Sequence, residues 1–250
     1  RGISGLKVTV DCVHCYLKQA VSCMKMAGLD EDSQHELLFK LMDYVKGLDR
    51  NATPAENSTY AVLKTYELMG VDDPYREVKR QSNDLALELY PRLKRMLDEY
   101  EDRLHNAIKI AVAGNVIDLG IRRSFDIEGE LRYSIETGFS KDNYDRFRQK
   151  LDEVDEVLFL GDNAGEIVFD KLLVEELVRL GKKVTYVVKE GPVLNDATVE
   201  DAVYVGMDRV ARLMTTGSRF LGVSFEHMSR EFADALNRAS LIIAKGQANF

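Results

Sequence analysis

Three short stretches of the sequence combine acidic, amide or lysine side chains with small residues. They are GDNAGE at 161–166, NDAT at 195–198 and KGQAN at 245–249. In the first, Asp162 and Asn163 offer neighbouring oxygen ligands of the hard kind that Mg²⁺ and Mn²⁺ prefer. Asp196 offers a further carboxylate, and Lys245 offers a positive charge for an anionic group such as phosphate. A divalent cation and a lysine together neutralise a phosphoryl group, so the combination predicts phosphoryl chemistry.

Each stretch also has a purely structural interpretation. Asp and Asn are common in turns and at helix N-termini, so Asp162 and Asn163 fit a turn before a helix as well as a metal site. Asn195 or Asp196 would likewise serve as the cap of the following helix. The first stretch lacks the GxGxxG spacing of a dinucleotide-binding loop. The metal interpretation therefore depends on the three stretches taken together.

Short apolar runs and amphipathic segments alternate in the second half of the chain. The pattern predicts strands at 157–160, 184–188, 211–215 and 241–244, and helices at 167–180, from about 196, and at 225–238. Strands that alternate with helices indicate an α/β fold with a mostly parallel sheet flanked by helices. Ligands of such sheets bind beyond the carboxyl ends of the strands, where the polar stretches at 161–166, 195–198 and 245–249 fall.

The first 110 residues show helical periodicity instead. The spacing predicts helices over 36–48, 54–69 and 74–113, with Thr53 and Glu56 forming a capping box and Gly70 ending the second helix. Pro91 predicts a break or a kink in the third helix near Tyr90. We therefore divide the chain into a helical bundle region at 1–110, a connecting segment at 111–150, and an α/β domain at 151–250 whose polar stretches predict metal and phosphate binding.

The composition of the chain argues against nucleic acids and membranes as partners. The 250 residues carry 34 basic and 42 acidic side chains, a formal net charge of −8, which argues against a nucleic-acid partner because such proteins present a basic face. No apolar run approaches the roughly 20 residues of a membrane-spanning helix. Three cysteines do not make a disulfide framework, so a cytoplasmic location is the expectation.

Cys12 and Cys15 form a CxxC pair, a spacing used in zinc, iron–sulfur and thiol redox sites. A closed zinc site needs four ligands, and the nearby supplements are Asp11, His14 and Cys23, with no second CxxC. The alternative is that both cysteines are small packing residues at the start of a helix. The sequence leaves a second metal site, a redox site and a packing role open.

The three strand-end stretches, in this order, resemble those of the damage-control phosphatases. The resemblance extends into the helical half, where four further stretches are similar to the microbial branch with an N-terminal cysteine pair: DCVHC at 11–15, PAE at 54–56, DPY at 73–75 and AGNVID at 113–118. It covers nearly the whole chain. It implies a helical N-terminal region on an α/β domain with a Rossmann-like sheet.

The resemblance also implies an activity and a set of site residues. The family hydrolyses small phosphomonoesters, such as sugar phosphates and damaged phosphometabolites, with Mn²⁺, Co²⁺, Ni²⁺ or Mg²⁺. Asp162, Asn163 and Asp196 would hold the metal. The substrate-binding residues would be Glu166, Asn115, Asp118 and Lys245. Family members extend past the lysine stretch, so the C-terminus is expected to be incomplete.

Asp162 and Lys245 are the residues we expect to be catalytic, with a metal-activated water attacking phosphorus. Asp162 as a nucleophile that forms a phospho-enzyme is the alternative within this mechanism, although a DxDxT-type motif is absent. Two other functions stay open from the sequence. One is an S-adenosylmethionine-dependent carboxyl methyltransferase, and the other is a protein that binds a metal and a phosphometabolite without turning it over.

Overall fold

The computed structural model describes residues 8–116, 129, 132, 133 and 136–249. The helices in these residues are α1 (Val10–Met26), α2 (Glu31–Val45), α3 (Pro54–Met69), α4 (Arg76–Asp98), α5 (Arg103–Val116), α6 (Tyr144–Asp152), α7 (Glu166–Arg179), α8 (Val199–Tyr204) and α9 (Arg230–Arg238). Two short 3-10 helices lie at Met207–Arg209 and Gln247–Asn249. None of the helices in this part of the chain is long and apolar enough to cross a membrane.

The described strands form a four-stranded sheet in which every pairing is parallel. They are β1 (Glu156–Leu160), β2 (Lys183–Val188), β3 (Arg212–Thr215) and β4 (Ile242–Ala244), in the order β3-β2-β1-β4. Phe159 of the inner strand β1 pairs with Tyr186 of β2 on one side and with Ile243 of β4 on the other. The predicted α/β class, a mostly parallel sheet flanked by helices, is confirmed.

Apolar side chains on both faces of the inner strands explain why helices cover both faces. On one face, Phe159 and Tyr186 belong to a core that includes Phe169 of α7. On the other face, Leu158 and Leu160 pack with Phe232 of α9, which is fully buried. A strand buried on both faces shows a continuous apolar run, which is why 157–160 could be recognised in the sequence.

Helix α3 forms as its sequence predicts. Glu56 N donates to Thr53 Oγ1 over 3.2 Å, and Thr53 N donates to Glu56 Oε2 over 3.0 Å, so both halves of the capping box are present. Pro54 occupies the first turn, where its missing N–H costs no hydrogen bond. Gly70 ends the helix with φ +66°, in the left-handed region that glycine adopts readily.

Of the break or kink predicted near Tyr90, the break is wrong, because α4 continues through Pro91 to Asp98. Leu93, Met96 and Leu97, which follow the proline, are buried against the core. Their burial offsets the hydrogen bond that proline removes. The chain leaves the helix at 99–102 instead, where Asp102 Oδ1 accepts from His105 N over 3.0 Å at the start of α5.

Helix α5 crosses the boundary that we predicted at residue 110. Its Ile110 and Ala111 belong to the same core as Phe159 and Phe169, so the helical and α/β parts share one hydrophobic interior. The segment predicted as a connection contains α6, together with residues that lie outside the described part of the chain. The division into three segments stays a prediction.

Substitution of Phe169 tests whether the helical and α/β parts share one hydrophobic core. Its ring lies against Gly114 of α5, so close that a Cβ built on Gly114 would be 2.8 Å from Phe169 Cγ. Phe169→Ala empties the space between α5 and α7, and we expect a loss of about 3–5 kcal/mol in the free energy of unfolding, measured with urea. Val178→Ala on the exposed side of α7 is the control and should change it by less than about 0.5 kcal/mol. Equal effects of the two substitutions would contradict this packing.

Candidate functional site

The three polar stretches of the sequence meet at the carboxyl ends of β1, β2 and β4. Ala164 N donates to Asn195 O over 2.9 Å, and Ala197 N donates to Asp162 O over 2.8 Å, so the first two stretches are joined through their backbones. Lys245 N donates to Leu160 O over 3.0 Å, which joins the third stretch to the end of β1. The sheet therefore brings the sequence-predicted residues of all three stretches to one place.

We call this group of side chains the strand-end cluster. Its members are Asp162, Asn163, Glu166, Asp170, Lys189, Asp196 and Lys245. Asn163 links two of the carboxylates, since its Nδ2 donates to Asp162 Oδ2 over 3.0 Å and to Glu166 Oε1 over 2.7 Å. Within the described part of the chain, Asn163 Oδ1 accepts no hydrogen bond. This leaves the amide oxygen available as a ligand.

Lys245 is held on all three of its N–H groups. Its Nζ donates to Ala111 O of α5 over 2.8 Å, to Asp170 Oδ1 over 2.9 Å and to Glu166 Oε2 over 3.3 Å. The side chain is almost fully buried. Burial opposes its charge, but the two carboxylates overcome that effect and raise the pKa of Lys245 above its ordinary value. The lysine stays charged inside the protein.

Asp170 and Tyr186 were missed in the sequence. Asp170 lies on α7 one turn after Glu166, is completely buried, and accepts from the Tyr186 hydroxyl over 2.7 Å at Oδ2. The spacing of four residues, which places both acids on one side of the helix, was the available signal. Gly161 makes room for the tyrosine, because a Cβ there would be 2.4 Å from the Tyr186 hydroxyl oxygen.

Lys189 was also missed, although it directly follows β2. It is 2% exposed, and its Nζ donates to Gly222 O over 2.7 Å and lies 3.7 Å from Asp196 Oδ2. Burial lowers the pKa of Lys189. Its position immediately after a predicted buried strand was the feature of the sequence that could have identified Lys189 as a site residue.

The carboxylates of the cluster exceed its ammonium groups. Burial, with the charges of Asp196 and Glu166, raises the pKa of Asp162 to about 7. Burial also raises the pKa of Asp196 to about 6, against the opposing effect of Lys189. The four carboxylates outnumber the two lysines of the cluster, which leaves two formal negative charges within it. Lys79 of α4 also acts on Asp196, but it is itself paired with Asp73 and Asp201. A divalent cation would balance the two negative charges, and the oxygens of Asp162, Asn163 and Asp196 are a donor set that fits a hard ion.

Gly246 holds the Asp162 carboxylate from the side of β4. Its φ is +83°, and a Cβ there would lie 2.3 Å from Asp162 Cγ and Oδ2. Asp162 therefore packs against bare backbone. Any other residue at 246 would push the carboxylate away from its present position.

Two helices of the N-terminal half fix the loops that carry the cluster. Asn83 of α4 accepts from Gly165 N over 2.7 Å, in the loop between β1 and α7. Tyr66 of α3 accepts from Leu194 N over 2.8 Å, just before Asp196. Neither Asn195 nor Asp196 caps α8, because Thr198 takes that position and forms a capping box with Asp201.

Four sequence-predicted residues lie elsewhere or outside the described part. Asn115 belongs to α5, and only its backbone is described; Asp118 lies outside the described residues. Cys12 and Cys15 lie in the first turns of α1. Their contacts are with that end of α1 and not with the strand-end cluster.

A second acidic and histidine group consists of Glu56, Glu226 and His227, whose potential ligand atoms lie within 4.8 Å of one another. Both ring nitrogens of His227 already have partners. Nδ1 lies 2.9 Å from Ser224 Oγ and Nε2 lies 3.2 Å from the Tyr60 hydroxyl. Glu56 is also engaged by Ser224, which donates to it over 2.9 Å. We interpret this group as a set of structural hydrogen bonds that joins α3 to the loop after β3.

Fold and site together define an α/β protein whose parallel sheet carries a buried acidic cluster, partly balanced by lysines, at its carboxyl edge. Residues 8–250 match the family model described as the damage-control phosphatase ARMT1-like domain. The chain belongs to the damage-control phosphatase family. The resemblance stated from the sequence is thereby confirmed at the level of the family, and its assignment to a branch with a cysteine pair stays a prediction.

Individual proteins similar to this chain are also named damage-control phosphatases. The chain is 34% identical to the damage-control phosphatase PH1575 of Pyrococcus horikoshii, over 98% of this chain and 85% of that protein. It is 31% identical to a damage-control phosphatase of Archaeoglobus fulgidus, over 98% and 86% of the two chains. The crystal structure of the Pyrococcus horikoshii protein, described as a DUF89 family protein, superimposes with a TM-score of 0.91 at 33% identity, covering 98% of this chain and 86% of that one. These relatives support a phosphatase activity.

Gly246 offers a matched test of the Asp162 contact. Gly181 has nearly the same backbone conformation, with φ +82°, but a Cβ there would meet nothing within 4 Å. Gly181→Ala should cost only the strain of a left-handed alanine, about 1–2 kcal/mol. Gly246→Ala should reduce the free energy of unfolding by more than this, because it adds the collision with the carboxylate. The contact would be disproved by equal losses in urea unfolding.

The raised carboxyl pKa values predict how the metal-free protein responds to pH. Asp162 and Asp196 keep their protons to higher pH when folded than when unfolded, so the folded state binds more protons between about pH 4 and pH 7. Their contribution to stability is present below this window and is lost as the pH rises through it. Urea unfolding across the window, in the presence of a chelator, measures the loss.

Asp162→Asn should flatten this part of the pH dependence, because it removes one of the buried carboxyl groups whose pKa is raised by folding. Asp43→Asn is the control, since Asp43 is exposed on α2. The control should leave the pH profile unchanged. A profile for Asp162→Asn that matches the parent protein would show that the Asp162 pKa is not raised by folding.

Proposed function

We propose that this protein is a metal-dependent phosphatase that hydrolyses a small phosphomonoester, such as a sugar phosphate or a damaged phosphometabolite. The relatives named above support the phosphatase class. The observation that carries the proposal is the convergence of Asp162, Asn163, Asp196 and Lys245 at one sheet edge. The cluster combines free oxygen ligands with buried positive charge, which is the pairing that phosphoryl transfer needs.

Asp162, Asn163 and Asp196 would hold the divalent ion, which would be Mn²⁺, Co²⁺, Ni²⁺ or Mg²⁺. Bound there, such an ion supplies Lewis-acid polarisation of a phosphoryl oxygen and lowers the pKa of water. Neighbouring groups hold these ligands in position before an ion binds. Gly246 and the Asn163 amide hold Asp162, and Lys189 holds Asp196.

Lys245 and Glu166 are the proposed contacts for the substrate phosphate. All three Lys245 donors are already used, and the longest of their contacts is the 3.3 Å one to Glu166. A phosphate oxygen would replace this contact at the smallest cost. Asp170, itself held by Tyr186, would then keep the ammonium group in position. Asp170 and Tyr186 are in this scheme positioning residues.

Attack on phosphorus by water is the step we favour. The alternative, in which Asp162 attacks and a phospho-enzyme forms, is disfavoured because the sequence lacks a DxDxT-type nucleophile motif. Acid-quenching the enzyme during turnover of a ³²P-labelled substrate separates the two routes. Label retained on Asp162 would establish the phospho-enzyme route in place of ours.

Turnover of p-nitrophenyl phosphate and of a sugar-phosphate panel tests the proposal. We expect activity that a chelator abolishes and that Mn²⁺ or Ni²⁺ restores. Asp162→Asn and Lys245→Met should each lower kcat by about 100-fold or more, because each removes a charge that the transition state needs. Lys183→Met, at a lysine exposed on the first residue of β2, is the control and should retain full activity.

Thermal unfolding with added ligands distinguishes the remaining functions. Ligands that bind the folded state raise the melting temperature with concentration, so Mn²⁺ should do so and S-adenosylmethionine should not. Stabilisation by S-adenosylmethionine alone would favour a methyltransferase. Stabilisation by Mn²⁺ and phosphate without any turnover would favour a binding protein. Full metal-dependent activity in Asp162→Asn would show that the site is assigned to the wrong residues.

A further inference from the structure

We propose that Cys12 and Cys15 form a reversible intramolecular disulfide, with Cys12 as the thiolate that attacks. Both cysteines lie in the first two turns of α1, at a spacing that places them on the same side of the helix. Cys15 is exposed and Cys12 is half-buried, so both are open to a small reagent. This redox site is separate from the proposed phosphatase chemistry and does not depend on it.

The geometry at the start of α1 favours a thiolate at Cys12. Cys12 takes the place that Glu or Gln occupies in an ordinary capping box. Thr9 N donates to Cys12 Sγ over 3.4 Å, and Thr9 Oγ1 lies 3.5 Å from the same sulfur. These contacts, the hydroxyl first and then the backbone N–H, lower the pKa of Cys12.

Buried polar atoms without partners line the space next to this turn. A cavity of about 450 Å³ is bordered by Thr9, Val13 and Tyr16 of the α1 region and by Asn57 at the start of α3. Tyr16 and Asn57 are 2% and 1% exposed, yet the Tyr16 hydroxyl and Asn57 Oδ1 have no hydrogen-bond partner among the described residues. These two polar atoms lie beside the turn that carries Cys12, although neither cysteine lines the cavity itself.

Cys23 does not complete a zinc site with the pair. It lies eleven residues further along α1, about 16 Å away at the rise of a helix, and packs with Val62 and Tyr66. Burial raises the pKa of Cys23 to about 12, so it is an unreactive packing residue. In the described part of the chain, no group of three potential ligands includes Cys12 or Cys15.

The reaction with a small disulfide such as oxidised glutathione balances as follows. The Cys12 thiolate attacks one sulfur of the small disulfide, whose S–S bond breaks and releases one thiolate. Cys15, after losing its proton to solvent, attacks Cys12 Sγ in the mixed disulfide, and the second thiolate leaves. The protein pair loses two electrons, the small disulfide gains them, and two molecules of free thiol are formed. Excess reduced glutathione reverses both steps.

Mass spectrometry of the protein equilibrated in glutathione buffers tests the pair. We expect the peptide containing residues 12–15 to lose two hydrogen atoms in oxidising buffer and to regain them in reducing buffer. Cys15→Ser should instead stop at a glutathione adduct on Cys12, and Cys12→Ser should remain largely unmodified. Cys23 should stay reduced in all three proteins.

Alkylation by iodoacetamide as a function of pH tests the role of Thr9. In Cys15→Ser, the midpoint for Cys12 should lie below the value of about 8.5 for a free cysteine. Thr9→Val in the same background removes only the hydroxyl and should shift this midpoint upward.

Three results would overturn the proposal. The first is a pair that stays reduced, or carries two separate adducts, in oxidising buffer. The second is stoichiometric zinc in the purified protein that is lost in Cys12→Ser, which would assign the pair as metal ligands. The third is a Cys12 midpoint in Cys15→Ser that is not below the value of about 8.5 for a free cysteine. Because phosphatase activity is not a readout, none of these results bears on the proposed function.

Discussion

The need to compensate several carboxylates buried at one edge of a sheet organises this protein. A buried carboxylate is costly unless charges or hydrogen bonds surround it. Lys245 arrives from β4 and Lys189 from β2, while Tyr186 donates from within the sheet. These donors stop short of full neutralisation. The residual negative charge would give the cluster an affinity for a cation, since a fully balanced cluster would have nothing to gain from one.

The same imbalance explains how an acidic protein can receive an anionic substrate. The net charge of −8 describes the whole chain, whereas a phosphate would meet only the sheet edge. With a divalent ion in place, that edge would change from a net negative to a near-neutral or positive local field. The overall charge is then less informative about the ligand than the position of a few buried groups.

The sequence was sufficient for elements with strong local signals. The capping box of α3 and the apolar run of β1 are decided by neighbours in the chain, and both were predicted. The sequence did not decide whether α4 breaks at Pro91 or continues through it, because the packing of Leu93 and Leu97 against distant residues decides this. Among the site residues, Asp162 and Asp196 stand in polar strand-end motifs. Asp170 and Tyr186 lie inside apolar segments, where only the folded chain shows that they meet.

The helical half takes part in the site as directly as the sheet does. Ala111 O receives a hydrogen bond from Lys245. Asn83 joins the loop after β1 to α8, because it accepts from Gly165 N and donates to Asp201 Oδ1 over 3.0 Å. If the α/β half were expressed alone, Gly165 N and Lys245 would each lose a buried partner, and the face of α7 that carries Phe169 would be open to water. The helical half and the α/β half therefore cannot be exchanged independently between homologous proteins. A functional chimera of distant relatives would have to take α4, α5 and the sheet from the same parent.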